Sequence, residues 1–255
     1  MKKGLTSNGL KIIAIITMLI DHIGYYMYPY LEKETYYLFR TIGRISMPIF
    51  AYLIVQGFFH TKNLKKYIYR IFGLAVITQI CLAILSYINI NYFPSYHTRI
   101  HSYLNILFSY TLSLILLAIL DRKKIIEKYD ETINLSIKIF GFIIILVSYL
   151  TFNIDYGMRI PFIMLGLYYT EKLFKKPGCF ESNFKYLFLI LITFLLSLTF
   201  VKNSVICKYW MLLSLLFIAF YNGEKGKNSK LVQYLFYAFF PIHHALLYLI
   251  SMILY

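Results

Sequence analysis

Runs of about 18 or more predominantly apolar residues recur from one end of this chain to the other. Nothing else in the sequence restricts the fold as much. Such a run cannot alternate between a buried and a solvated face. At about 1.5 Å rise per residue it forms a helix long enough to cross a hydrocarbon core of about 30 Å. Nine spans are expected, at Leu10 to Pro29, Tyr37 to Phe58, Ile68 to Ile90, Tyr103 to Leu120, Ser136 to Phe152, Tyr156 to Phe174, Tyr186 to Val201, Val205 to Tyr221 and Leu231 to Ile253. The sixth has the weakest pattern, and the shorter ones cross only with local thinning of the bilayer. Short loops join them, so the expectation is a single integral membrane domain over residues 1–255. The fold class is all-α, a polytopic transmembrane helix bundle. Composition agrees: 15% of residues are charged and 60% hydrophobic, whereas a soluble domain carries about a quarter charged residues.

The net charge of +15 carries topological information. With the N-terminus in the cytoplasm, the inside segments hold Lys2, Lys3 and Lys11; Lys62, Lys65, Lys66 and Arg70; Arg122, Lys123, Lys124 and Lys128; Lys172, Lys175, Lys176 and Lys185; and Lys225, Lys227 and Lys230. The outside loops hold Lys33, Arg99, Arg159, Lys202 and Lys208. This is the positive-inside asymmetry, and it holds across every loop pair. It accounts for the basic balance without a nucleic-acid partner, since no basic stripe lies on a soluble surface. The first run lacks a small-residue cleavage site and contains an Asp-His pair, so it reads as a retained helix. Cys81, Cys179 and Cys207 are scattered and imply neither a disulfide framework nor a zinc site.

Polar residues inside the spans are few, and at membrane depth they are functional candidates by default. Asp21 and His22 lie about eleven residues into the first run, near the expected midplane. Helical neighbours point about 100° apart, so each faces a different partner. His22 is a candidate general base. The second run carries Arg40 nearer its outer end and Arg44 inside the membrane, with Gly43 permitting close helix approach and Pro48 expected to kink the helix. Arg44 is the expected electrostatic partner of Asp21, or a binder of a substrate phosphate or carboxylate. The following inner loop, FFHTKNLKKYIYRI, gathers His60, Asn63, Tyr67 and Arg70 among lysines. It suits an anionic cosubstrate or simply expresses the charge bias. In the last run Pro241 frees a backbone carbonyl ahead of His243 and His244, of which one is expected to face the bundle. His97 and His101 stand four residues apart in an outside loop without a metal-protease motif, and no metal site is expected. Asn105, Asp155 and Arg159 lie near outer span ends.

These stretches, LKIIAIITMLIDHIG, RTIGRISMPIFAYLIVQGFFHTKNLKKYIYR and FYNGEKGKNSKLVQYLFYAFFPIHHALLYLI, resemble the TraX family of membrane proteins. The carrying positions are Asp21-His22, Gly43-Arg44, Pro48-Ile49-Phe50, His60-Thr61-x-Asn63 with Tyr67 and Arg70, Asn105, Asp155-Tyr156-Gly157 and the Pro-x-His ending, where Phe240 replaces a common Tyr. The resemblance implies an acetyltransferase of the bacterial cytoplasmic membrane. It would take acetyl-CoA as cosubstrate and use an intramembrane histidine to acetylate a peptide, pilin-like or other cell-envelope acceptor. On that reading His22, Asp21 and His243 are catalytic, and Arg44, His60, Asn63, Tyr67, Arg70 and Asn105 bind substrate. A proton-coupled transporter or a non-catalytic assembly protein are the alternatives that mid-membrane charges leave open.

Overall fold

The computed structural model describes residues 4–92, 103–121, 131–174, 180–198, 209–226 and 230–254. The architecture is all-α, with no strand among these residues. The helices are α1 (Ser7–Tyr26), α2 (Lys33–Gly43), α3 (Ser46–His60), α4 (Leu64–Tyr92), α5 (Ile106–Leu120), α6 (Glu131–Thr151), α7 (Arg159–Leu173), α8 (Phe180–Ser197), α9 (Ser214–Ala219) and α10 (Lys230–Leu254). The loop histidines His97 and His101, and the basic loop from Arg122 to Lys128, lie outside the described residues.

Each expected span coincides with helix, in the expected order, but the lengths differ. Among the described residues, four segments are long and apolar enough to cross a membrane: Ser7–Tyr26, Lys33–His60, Leu64–Asn89 and Val232–Leu254. The eighth expected span departs most. Its described part is a 3-10 segment (Tyr209–Leu213) running into the six-residue α9. At about 1.5–2 Å per residue this reaches well short of a 30 Å core.

Local signals set the ends of the elements. Thr6 accepts a hydrogen bond from the Gly9 amide at 3.2 Å and starts α1 three residues earlier than the apolar run alone suggests. The second span is broken into two helices at Arg44 and Ile45. Pro48 therefore sits in the first turn of α3, where a missing amide costs little, and not at a mid-helix kink. Asn63 caps α4 by accepting from the Lys66 amide at 2.8 Å.

Buried residues of α1 recur at Leu10, Ala14, Thr17, Met18, Asp21 and Gly24, a stripe of helical period that includes the carboxylate. On α4 the stripe is Ile71, Ala75, Thr78, Leu82 and Leu85, while Phe72, Ile77, Ile80 and Ile84 are exposed. Similar exposed apolar faces occur on α6 (Ile139, Phe140, Ile143, Leu150) and α10 (Leu235, Ile242, Leu246, Leu249). Faces this large are unstable against water but suit lipid, which with the long apolar helices marks a membrane protein.

Two backbone junctions fix the relative heights of the helices. At one end Leu5 donates to the Phe220 carbonyl at 2.7 Å and Ser7 donates to the Glu224 carbonyl at 2.8 Å, tying the start of α1 to the segment after α9, and Lys11 Nζ stands 5.4 Å from the Phe236 ring, so the early turns of α1 and α10 lie side by side. At another, Leu104 donates to the Asn153 carbonyl at 2.8 Å and receives the Asp155 amide at 2.9 Å, joining the start of α5 to the turn between α6 and α7.

Candidate functional site

Because α1 and α10 start together, residues equally far along them meet. His22 is fifteen residues beyond Ser7 and His243 is thirteen beyond Lys230, which is about 20–22 Å for each. His243 Nε2 lies 2.9 Å from His22 Nδ1, and the His244 ring centroid lies 4.6 Å from that of His22. The expectation that one of His243 and His244 faces away from the bundle is corrected, since both are 3% exposed. The buried stripe of α10 runs through Phe240, His243, His244, Leu247, Tyr248 and Ser251, and a helical stripe of that width takes in adjacent residues.

The hydrogen bonds set proton positions when each ring is neutral. The Phe239 carbonyl can only accept, so His243 Nδ1, 2.7 Å away, carries hydrogen. His243 Nε2 is then an acceptor, His22 donates from Nδ1, and the lone pair of His22 falls on Nε2. His244 Nδ1 is 3.0 Å from the Tyr26 hydroxyl.

Asp21 points the other way, onto α2. A β-carbon at Gly43 would stand 2.1 Å from the Asp21 β-carbon, so glycine is what lets the two helices approach. Arg40 Nη1 donates to Asp21 Oδ2 at 2.8 Å, and Arg44 Nη2 lies 3.5 Å from Oδ1. The expected Asp21–Arg44 pair is therefore present but is the longer of two. Arg40 and Arg44 are four apart on one helix face and reach the same carboxylate. Because the helix starts at Ser7, Asp21 lies beyond the middle of α1, about halfway from it to the C-terminal end. Arg44 Nη1 donates to the Tyr156 hydroxyl at 2.8 Å. Tyr156 has φ of 61°, a strained conformation for a side-chain-bearing residue, in the turn that leads into α7.

Asp21, His22, Arg40, Arg44, Asp155, Tyr156 and His244 line a polar chamber of about 90 Å³. Beside it lies a larger cleft of about 480 Å³. Phe50, Tyr110 and Phe240 line both and stand between them. The Tyr110 hydroxyl is fixed by donating to the Met47 carbonyl at 3.0 Å. Ser7, Lys11, His60, Arg70 and Lys225 surround the other end of the cleft, the end at which α1 begins and α3 finishes.

The sequence-predicted residues thus divide. Asp21, His22 and Arg44 share the chamber, and His243 reaches it through His22. His60, Tyr67 and Arg70 line the cleft. Asn63 does not line it and serves as the α4 cap. Asn105 reaches the chamber, but its polar atoms are occupied: it caps α5 through the Leu107 amide at 3.1 Å and donates to Ala75 O and Gln79 Oε1, both at 2.9 Å. An Asn105→Ala variant is expected to lose about 1–2 kcal/mol through the cap alone, read as a lower thermal midpoint in detergent. Sequence reasoning missed Arg40 as the nearer partner and Tyr26 as the holder of His244. The i, i+4 spacing of Arg40 to Arg44 and of His22 to Tyr26 was the available signal. It also missed Glu171, which accepts from the Tyr186 hydroxyl, itself 2.9 Å from that of Tyr52.

The family model described as TraX protein matches residues 6–251. The chain is 29% identical over 248 residues to a Dichelobacter nodosus protein named "Probable fimbrial assembly protein FimC, serogroup H1", covering 93% of this chain and 92% of that one. It is 41% identical over 76 residues to the "Uncharacterized protein RP591" of Rickettsia prowazekii (strain Madrid E), 30% of this chain and 27% of that protein. No solved structure matches. With nearly its whole length matched, the chain belongs to the TraX family.

Proposed function

We propose that this protein is an acetyltransferase that moves an acetyl group from acetyl-CoA to an amine or hydroxyl of a peptide or cell-envelope acceptor, from within the bacterial cytoplasmic membrane with its N-terminus inside. The observation that carries the reading is the pair of adjacent cavities. One has a cationic mouth suited to the phosphates of a CoA thioester, the other has the histidine cluster at its wall, and Phe50, Tyr110 and Phe240 line both. Lys11, Arg70 and Lys225 hold the anionic head, and the acyl end passes between these three aromatic side chains.

In the chamber His22 Nε2 removes the proton from the acceptor nucleophile as that atom attacks the thioester carbonyl. The new C–N or C–O bond forms, the C–S bond breaks, and the thiolate leaves and takes up a proton. His22 Nδ1–H remains bonded to His243 Nε2, and the chain ends on the Phe239 carbonyl, which steadies the cation that forms on His22. The fimbrial name of the Dichelobacter nodosus relative supports a pilin-like acceptor.

The test is incubation of the purified protein in lipid vesicles with acetyl-labelled CoA and a membrane extract as acceptor source. Label on an acceptor supports the reading. No label and no CoA release would turn it toward a carrier or a non-catalytic assembly role. A further expectation concerns Phe50. A Phe50→Ala variant, with the wall of the small chamber removed, is expected to accept butyryl-CoA relative to acetyl-CoA at least about tenfold better than wild type, the scale by which hydrophobic pockets discriminate added methylenes. Competition between the two donors measures it.

A further inference from the structure

We propose that His22, His243 and His244 form a binding site for one late first-row divalent cation such as Zn²⁺. One ring nitrogen from each of the three lies within 4.8 Å of the other two. The nitrogens of a tetrahedral zinc site, at about 2.0–2.1 Å from the metal, stand about 3.3 Å apart. His22 Nδ1 and His243 Nε2, at 2.9 Å, therefore part slightly to admit the ion, and His244 closes on it by a small ring rotation.

The surroundings resemble those of a built ligand set. A metal-bound histidine typically gives its other N–H to a carbonyl or another oxygen, which fixes tautomer and orientation. His243 does so to the Phe239 carbonyl at 2.7 Å, and His244 is held by the Tyr26 hydroxyl at 3.0 Å. With Nδ1–H donated in each case, Nε2 is the coordinating atom. Three protein ligands with a fourth position open is the catalytic type of zinc site rather than the closed structural type. The open side is the polar chamber, which His22 and His244 line. The guanidiniums of Arg40 and Arg44 in that chamber favour an anion, such as hydroxide or chloride, as fourth ligand. Three imidazoles suit Zn²⁺, Cu²⁺ and Ni²⁺ over Mg²⁺ or Ca²⁺, which prefer oxygen.

Occupation has a consequence that rests on the acetyltransferase reading. Coordination through Nδ1 moves the His22 proton to Nε2 and removes its lone pair. The ion-bound protein then lacks its base, and Zn²⁺ inhibits transfer.

The test is a Co²⁺ titration of the chelator-treated full-length protein in detergent, followed by displacement with Zn²⁺. We expect one Co²⁺ per chain with the intense visible absorption of a four-coordinate ion. His22→Gln and His243→Gln are each expected to weaken binding at least about 100-fold, and Tyr26→Phe, which removes the group that orients His244, about tenfold. The His97→Ala, His101→Ala double variant retains it. The weak spectrum of a six-coordinate ion, or binding that survives the single substitutions but is lost in the double variant, overturns the site. Activity separates the two ideas. Absent cobalt binding with intact acetyl transfer removes the site alone. Cobalt binding with zinc-stimulated transfer keeps the site and removes the base role of His22.

Discussion

His22→Ala is expected to lower acetyl transfer by about 10²- to 10⁴-fold while leaving the protein folded and inserted, the range supplied by one positioned general base. Among the three clustered histidines, His22 has its lone pair placed on Nε2 by the hydrogen bonds of its neighbours and lies in the lining of the chamber. His243 stands one step behind it. His243→Ala removes the acceptor for His22 Nδ1–H and leaves the base, so its loss is smaller and appears mainly in kcat. The measurement is single-turnover transfer from labelled acetyl-CoA, with protein levels matched by quantifying the membrane fraction. Full activity in His22→Ala beside an inactive His243→Ala would assign the proton transfer to His243.

The second large effect is expected at a residue with no side chain. In Gly43→Ala the new β-carbon would lie 2.1 Å from the β-carbon and 2.4 Å from the Cγ of Asp21, distances that no packed pair adopts. The helices must separate or the carboxylate must swing away from Arg40 and Arg44. Overpacking costs about 1–3 kcal/mol, and loss of a buried charge's partner about 3–5 kcal/mol. The second applies in part, because the two arginine side chains are 21% and 20% exposed. A Gly43→Ala protein should therefore show a clearly lower thermal midpoint in detergent and little transfer activity. An Asp21→Gly, Gly43→Ala double variant, which removes the opposing β-carbon as well as the carboxylate, separates the two terms. Recovery of the fold without recovery of transfer identifies the clash as the cause of instability and the ion pair as a requirement for function. A Gly43→Ala protein as stable as wild type would mean that α1 and α2 are less closely packed than described.

Much of this was legible in the chain. Asp21, His22 and Arg44 stood out because ionisable groups in apolar runs are rare and costly, and Pro241 and the His-His pair stood out for the same reason. Gly43 beside Arg44 suggested a close crossing, and Asp21 fills that crossing. The roles of Asn63 and Asn105 were not legible. A polar residue at a helix end reads equally as a cap or a ligand, and which it becomes depends on whether amides or open space lie beside it. For Asn105 the deciding neighbours, Ala75 and Gln79, are about thirty residues away in the chain.

The sequence alone determined the membrane environment, the all-helical class and the segments at which charge is concentrated. Each is a property of composition along a line: an apolar run must be helical in hydrocarbon whatever packs against it. Tertiary structure decided which residues meet. The pairing of His22 with His243 follows from two helices whose early turns lie side by side, with Lys11 against Phe236. The choice of Arg40 over Arg44 as the nearer partner of Asp21 is made where α1 packs against α2 at Gly43. Contacts across 218 to 221 positions have no local signal, because the energy that selects them comes from the whole packed bundle and not from either segment.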